Sequence, residues 1–147
     1  MSTEILSDYN VSGQRASIVS RGRQYSDLDL SLVPHPNKKD IIPLIDVDAV
    51  RNSVKNLVLT DRYERLFNPD ISSGLKRLLF ENVDSHTTYL IRTYIIEVLT
   101  NYEPRISGLN VIVQDDDVNN GYYITIAFNV ISVNIQSDVQ IFLERTR

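Results

Sequence analysis

Cysteine is missing from all 147 positions, which excludes a disulfide framework and every thiolate-based metal site. Glycine is scarce, and the five present build no phosphate-cradling loop, dinucleotide fingerprint or nucleophile elbow. The two histidines, His35 and His86, stand far apart and fit no metal-ligand spacing. No apolar run approaches the roughly 20 residues of a membrane span, and no apolar stretch follows a basic start at the N-terminus. An excess of basic charge is lacking too: 15 Lys and Arg against 19 Asp and Glu leave a net charge of −4, the wrong sign for a main partner made of nucleic acid. Arg15, Arg21 and Arg23 cluster near the N-terminus, where a solvated tail or contacts with an acidic neighbour protein account for them. The expectation is a protein with no cofactor, no bound metal, no nucleic-acid partner and no membrane insertion, held in the cytoplasm until it is built into something larger.

What the chain does have is the balance of a sequence that folds, with 42% hydrophobic and 23% charged residues over a length that suits one core. Residues 1 to about 40 are polar, contain Gly13, Gly22, Pro34 and Pro36, and keep no helical period, so they read as an extended arm ahead of a domain over 41–147. Inside the arm Tyr25, Asp27 and Asp29 alternate with Ser26, Leu28, Leu30 and Leu32, and the leucines are expected to dock it. Asp46 is placed to cap a helix striped by Val47, Val50, Val54, Leu57 and Val58. Thr60 to Asp70 reads as a loop anchored by one buried aromatic, Phe67. A short helix follows, with Leu75, Leu78 and Leu79 inward and Phe80 at its end. Asp84 or Ser85 caps the longest helix, whose stripe is Leu90, Ile91, Tyr94, Ile95, Val98, Leu99 and Tyr102, and Pro104 stops it.

Beyond Pro104 the period drops to two, in Val111 and Val113, in Ile124, Ile126, Phe128 and Val130, and in Val139, Ile141 and Leu143. Asn120-Gly121 is predicted to supply the positive φ angles of the hairpin between the first two runs. The pattern predicts an α+β fold, about three helices on an antiparallel sheet, with a last strand whose edge is open to another chain.

Few constellations carry chemistry. Asp115, Asp117 and Asn119 imitate the start of a calcium loop, but Asn120 stands where glycine is needed and Ile126 where a bidentate Glu is needed, so a solvated hairpin tip explains them. Two carboxylates such as Glu81 and Glu103 meet the minimum for a glycosidase, yet so does any pair drawn from an acidic chain. The segment Asn101-Tyr102-Glu103-Pro104-Arg105-Ile106 is more informative. Proline fixes an acid and a base at a helix exit, on the same side of an extended backbone. Two readings are open: a rigid two-charge latch for a partner, or an intramolecular helix-stop salt bridge worth roughly 0–1 kcal/mol if exposed.

At this motif the chain resembles the baseplate wedge family of contractile phage tails, which has relatives in type VI secretion and other injection machines. Four further landmarks agree in order: Tyr25-Ser26-Asp27-Leu28-Asp29, Ser53-Val54-Lys55-Asn56, Arg65-Leu66-Phe67-Asn68-Pro69 and Leu79-Phe80-Glu81-Asn82. The chain departs from the family at Leu66, where proline is usual, and at Ile71 and Ser72, where the pattern has Phe-Gly. The resemblance implies a fold similar to the strand-exchanging domain of sheath proteins and a structural, non-enzymatic subunit of a virion tail baseplate. It implies that Tyr102, Glu103, Pro104 and Arg105 bind a helical core bundle of larger wedge proteins. It further implies that Val139, Ile141 and Leu143 lie in the strand that pairs with the tail sheath protein. The alternatives are a lysozyme-like glycoside hydrolase, a reading the family has also attracted, and a free-standing binding domain for an unrelated partner.

Overall fold

A computed structural model describes residues 25–30, 32–37, 39–116 and 118–145. The arginine cluster Arg15, Arg21 and Arg23 and residue Asp117 lie outside the described residues. The elements run β1 (Ser26–Leu28), β2 (Pro43–Ile45), α1 (Val47–Leu59), α2 (Leu75–Leu78), α3 (Ser85–Tyr102), β3 (Ile106–Asp116), β4 (Gly121–Val130) and β5 (Ile135–Glu144). The fold is α+β, as the periodicity predicts: β3, β4 and β5 form an antiparallel meander, with α3 packed against β3 and α1 against β5. β1, within the predicted arm, pairs antiparallel with β2.

The core lies where the helical stripes meet the inward face of the sheet. Val50, Val54 and Val58 of α1, Ile91, Ile95 and Leu99 of α3, and Val111, Ile124, Ile126, Phe128 and Val130 of the strands are all closed off from solvent. Each such side chain contributes roughly 1.5–3 kcal/mol by its burial. Asp84 is the α3 cap, its Oδ1 accepting the Thr87 N–H at 2.6 Å. At the other end Pro104 keeps Glu103 out of the helical conformation (φ −124°, ψ 78°), and the helix stops with the Glu103 N–H still bonded to Leu99 O.

Several expectations need correction. Leu28, Leu30 and Leu32 face solvent, whereas Tyr25, Asp27 and Asp29 are the partly buried set, so the arm docks by the opposite face. The reason is polar: α1 presents Asn52 to the Asp27 carboxylate, and Tyr25 exchanges hydrogen bonds with Asp46. Asp46 begins α1 at φ 49° without capping it, because its Oδ1 accepts the Tyr25 N–H instead. Phe67 is not an anchor; it is 95% exposed, and the loop is held by the Ser73 N–H on Thr60 O and by Glu64 on the Asp61 N–H. Phe80 also faces solvent.

Among the described residues of the β3–β4 turn only Asn120 has positive φ, at 51°, while Asp116 accepts the N–H groups of Val118 and Asn119. Gly121 is needed for space, since a Cβ there would lie 2.5 Å from Leu143 O and 2.6 Å from the Phe142 ring.

The two outer strands differ. β3 is irregular between Ser107 and Asn110, where Gly108 takes φ 61°, so its register with β4 is broken. β5 pairs with β4 without interruption from Gly121↔Glu144 to Val130↔Ile135.

Candidate partner-binding site at the helix exit

The site is built on three pieces of backbone that the core holds together: the end of α3, the middle of α1 and strand β1. Because Glu103 is the non-helical residue that ends α3, its side chain turns back beneath α1 and is 2% exposed. Arg105, two residues on, reaches the same carboxylate with both arms of its fork, Nε to Oε1 at 2.6 Å and Nη2 to Oε2 at 2.7 Å. Ser53 of α1 donates its hydroxyl to Oε2 at 2.6 Å. A buried carboxylate is thus met by three donors, the condition under which burial of charge is tolerated.

Electrostatics follow the geometry. Burial pushes the Glu103 carboxyl up, but the hydrogen bonds from Arg105 and Ser53 and the Arg105 charge outweigh it, so its pKa lies below the ordinary 4.5. The hydrogen bond to Glu103 raises Arg105 above its already high value, against the opposing effect of burial, with Asp27 among the lesser contributors. The guanidinium lies over the Tyr25 ring, 5.3 Å from its centroid, within cation–π range.

The corner opens into a shallow groove of about 410 Å³ whose walls include Asp27, Asn56, Arg65, Tyr102 and Arg105. The Arg105 side chain is 31% exposed there. Tyr102 is partly exposed, with its hydroxyl donating to Asp70 O, and Pro104 is exposed. Of the four residues singled out at this exit, three therefore reach the surface while Glu103 lies beneath them.

Sequence reasoning did not find that Ser53, Asn52, Tyr25 and Asp27 belong to this corner. The available signal was a pair of adjacent polar residues, Asn52 and Ser53, beside the apolar stripe of α1. Glu81 is exposed and is not among the residues lining this groove, so no carboxylate pair with Glu103 is formed here. Among the described residues no cluster of three or more His, Asp or Glu could hold a metal ion, and no helix is long and apolar enough to cross a membrane.

Val139 and Ile141 are buried and Leu143 is partly buried, all facing the helices. The Arg145 N–H donates to Asn120 O, which fixes the alternation of the ladder. By that alternation the backbone groups of Val139, Ile141 and Leu143 point to β4, and those of Gln136, Asp138, Gln140, Phe142 and Glu144 point to the outer edge, where no strand of the described residues pairs.

Comparison with known proteins agrees with this fold. Residues 46–135 match the family described as baseplate wedge protein gp25. A baseplate wedge protein gp25 of Enterobacteria phage T4 is 33% identical over 109 residues, covering 73% of this chain and 80% of the relative. A crystal structure from Geobacter sulfurreducens, described as a candidate tail lysozyme, superposes with a TM-score of 0.62 at 25% identity, covering 67% of this chain and 89% of the other. A subunit of the anti-feeding prophage baseplate, solved by electron cryo-microscopy, shares the fold with a TM-score of 0.58 at 19% identity, covering 84% and 87% of the two chains. The class is thereby defined as a small α+β baseplate protein of contractile tails. Within that class the chain belongs to the baseplate wedge protein gp25 family, and membership gives it a structural role in the baseplate of a phage or phage-like tail.

Proposed function

We propose that this protein joins a helical core bundle of larger wedge proteins to the first ring of the tail sheath and starts the sheath by strand pairing. The observation that carries the reading is the contrast between the outer strands: β5 offers an unbroken ten-pair strand with one edge that no strand among the described residues uses, and β3 is bulged. A regular edge accepts an incoming strand by main-chain hydrogen bonds, and a bulge turns one away. The pairing groups belong to Gln136, Asp138, Gln140, Phe142 and Glu144, while Val139, Ile141 and Leu143 set the register by packing inward.

Arg105 and Tyr102 contact the wedge bundle, and Glu103 with Pro104 holds Arg105 in place for it. Among the described residues Nη1 of Arg105 has no acceptor, so it is left for a carboxylate or carbonyl of the partner. The subunit assembles in the host cytoplasm before incorporation. We read the protein as non-enzymatic. A glycosidase acid requires a raised pKa, whereas Glu103 is held low inside a bidentate ion pair.

The test is co-expression with wedge and sheath subunits, followed by electron microscopy. Gln140→Pro removes an outward N–H while sparing the ladder to β4, and it is expected to leave the bundle complex intact but without sheath. Arg105→Lys keeps a positive charge opposite Glu103 but loses the fork, and it is expected to lower bundle binding roughly tenfold with an unchanged circular dichroism spectrum. Sheaths of normal length on Gln140→Pro baseplates would overturn the strand-pairing reading.

A further inference from the structure

We infer that strand β1 is a clasp on the partner-binding corner, with Tyr25 and Asp27 acting as positioning residues that fix the Arg105 guanidinium. Glu103 grips one edge of the guanidinium through Nε and Nη2, which sets its reach but leaves its plane free to rock about that edge. The Tyr25 ring lies under the guanidinium carbon, 5.3 Å from ring centroid to Cζ, and restricts that freedom. Asp27, within β1, adds negative charge two residues beyond Tyr25.

The strand is itself pinned to the domain on both sides of these residues. Asn52 of α1 donates to Asp27 Oδ2 at 3.0 Å and to Leu28 O at 3.3 Å. Tyr25 N–H donates to Asp46 Oδ1 at 3.2 Å, and Asp46 N–H donates back to Tyr25 O at 3.0 Å. The adjacent residues Asn52 and Ser53 thus hold the two halves of the corner from one turn of α1, Asn52 the clasp and Ser53 the carboxylate. This arrangement explains why the arm docks by its polar face. Had the leucines turned inward, the Tyr25 ring and Asp27 would point away from Arg105.

Docking of the arm and readiness of Arg105 are therefore one event. A partner that binds Arg105 stabilises the docked arm, and an arm held elsewhere weakens the partner site by the same factor, since coupling between sites is reciprocal. The inference rests on the proposed use of Arg105 in bundle recognition, and the experiment separates the two.

Hydrogen exchange at the Arg105 Nε–H, followed by NMR in the full chain, reports the clasp without any partner. Affinity for the co-expressed wedge subunits reports recognition. Tyr25→Ala is expected to accelerate the exchange and to weaken bundle binding, each roughly tenfold, and Asp27→Asn to do so by a smaller factor. Tyr25→Phe keeps the ring and is expected to behave as wild type in both measurements, which a loss of folding would not allow. Unchanged exchange in Tyr25→Ala overturns the clasp. Faster exchange with unchanged bundle affinity upholds the clasp and overturns the reading of Arg105 as a contact.

Discussion

The molecule contains two acid–base pairs of nearly equal length in opposite surroundings. Glu103 and Arg105 meet at 2.6 Å with the carboxylate buried, and Glu64 and Lys76 meet at 2.9 Å with both groups in solvent. The first is planar, bidentate and supported by Ser53; the second is a single contact shared with Asp61. Water competes for every bond of the exposed pair, so it contributes little beyond shaping its loop. The buried pair has no such substitute. Remove Arg105 and Glu103 is left charged in a place that cannot solvate it; remove Glu103 and Arg105 keeps only part of its water. Distance is a poor guide to what an ion pair does; the fate of the abandoned partner is the better one.

Three measurements press on that contrast. Glu103→Ala strands Arg105 and the Ser53 hydroxyl together, and it is expected to lower unfolding free energy by about 2–4 kcal/mol in urea denaturation, less than a fully buried pair because Arg105 keeps some water. A loss no larger than that of a surface substitution would erase the distinction. Acid titration gives the next largest effect. The folded-state pKa of Glu103 lies below 4.5, so the pair's contribution is complete above about that pH and fades as pH falls through the depressed value. Wild type is therefore expected to lose more stability than Glu103→Gln between about pH 5 and pH 2, measured as the shift in urea midpoint. The lowered pKa values of Glu64, Asp84 and Asp116 are common to both proteins and cancel in the comparison. The smallest effect is expected for Lys76→Met, which should leave the melting curve unchanged, and a clear drop would show that the exposed pair is not idle.

The same contrast explains what was legible in the sequence. The stripes of α1 and α3 and the alternation in β4 are local patterns, and burial of Val54, Ile95 or Ile126 follows from period alone. The exit from α3 was readable because Pro104 acts on its immediate neighbour. The burial of Glu103 was not, since it depends on Ser53, 50 residues earlier, arriving on the other side. The arm misled for a related reason: a run of leucines looks like a docking face, but which face docks was decided by Asn52 and Arg105, neither of them in the arm. Phe67 carries the same lesson, as an aromatic next to Leu66 and two residues before Pro69 gives no hint that the loop is held from its polar side.

The irregularity at Gly108 has a meaning for the molecule in solution. A three-stranded sheet with two regular edges is compatible with head-to-tail stacking of identical copies, the last strand of one on the first strand of the next, and such stacking does not close. With φ at 61° and the β3 register broken between Ser107 and Asn110, the first strand makes a poor seat for β5 of a second copy. On the proposed use of β5, the subunit has a single adhesive side and is disfavoured from growing into a fibre of itself.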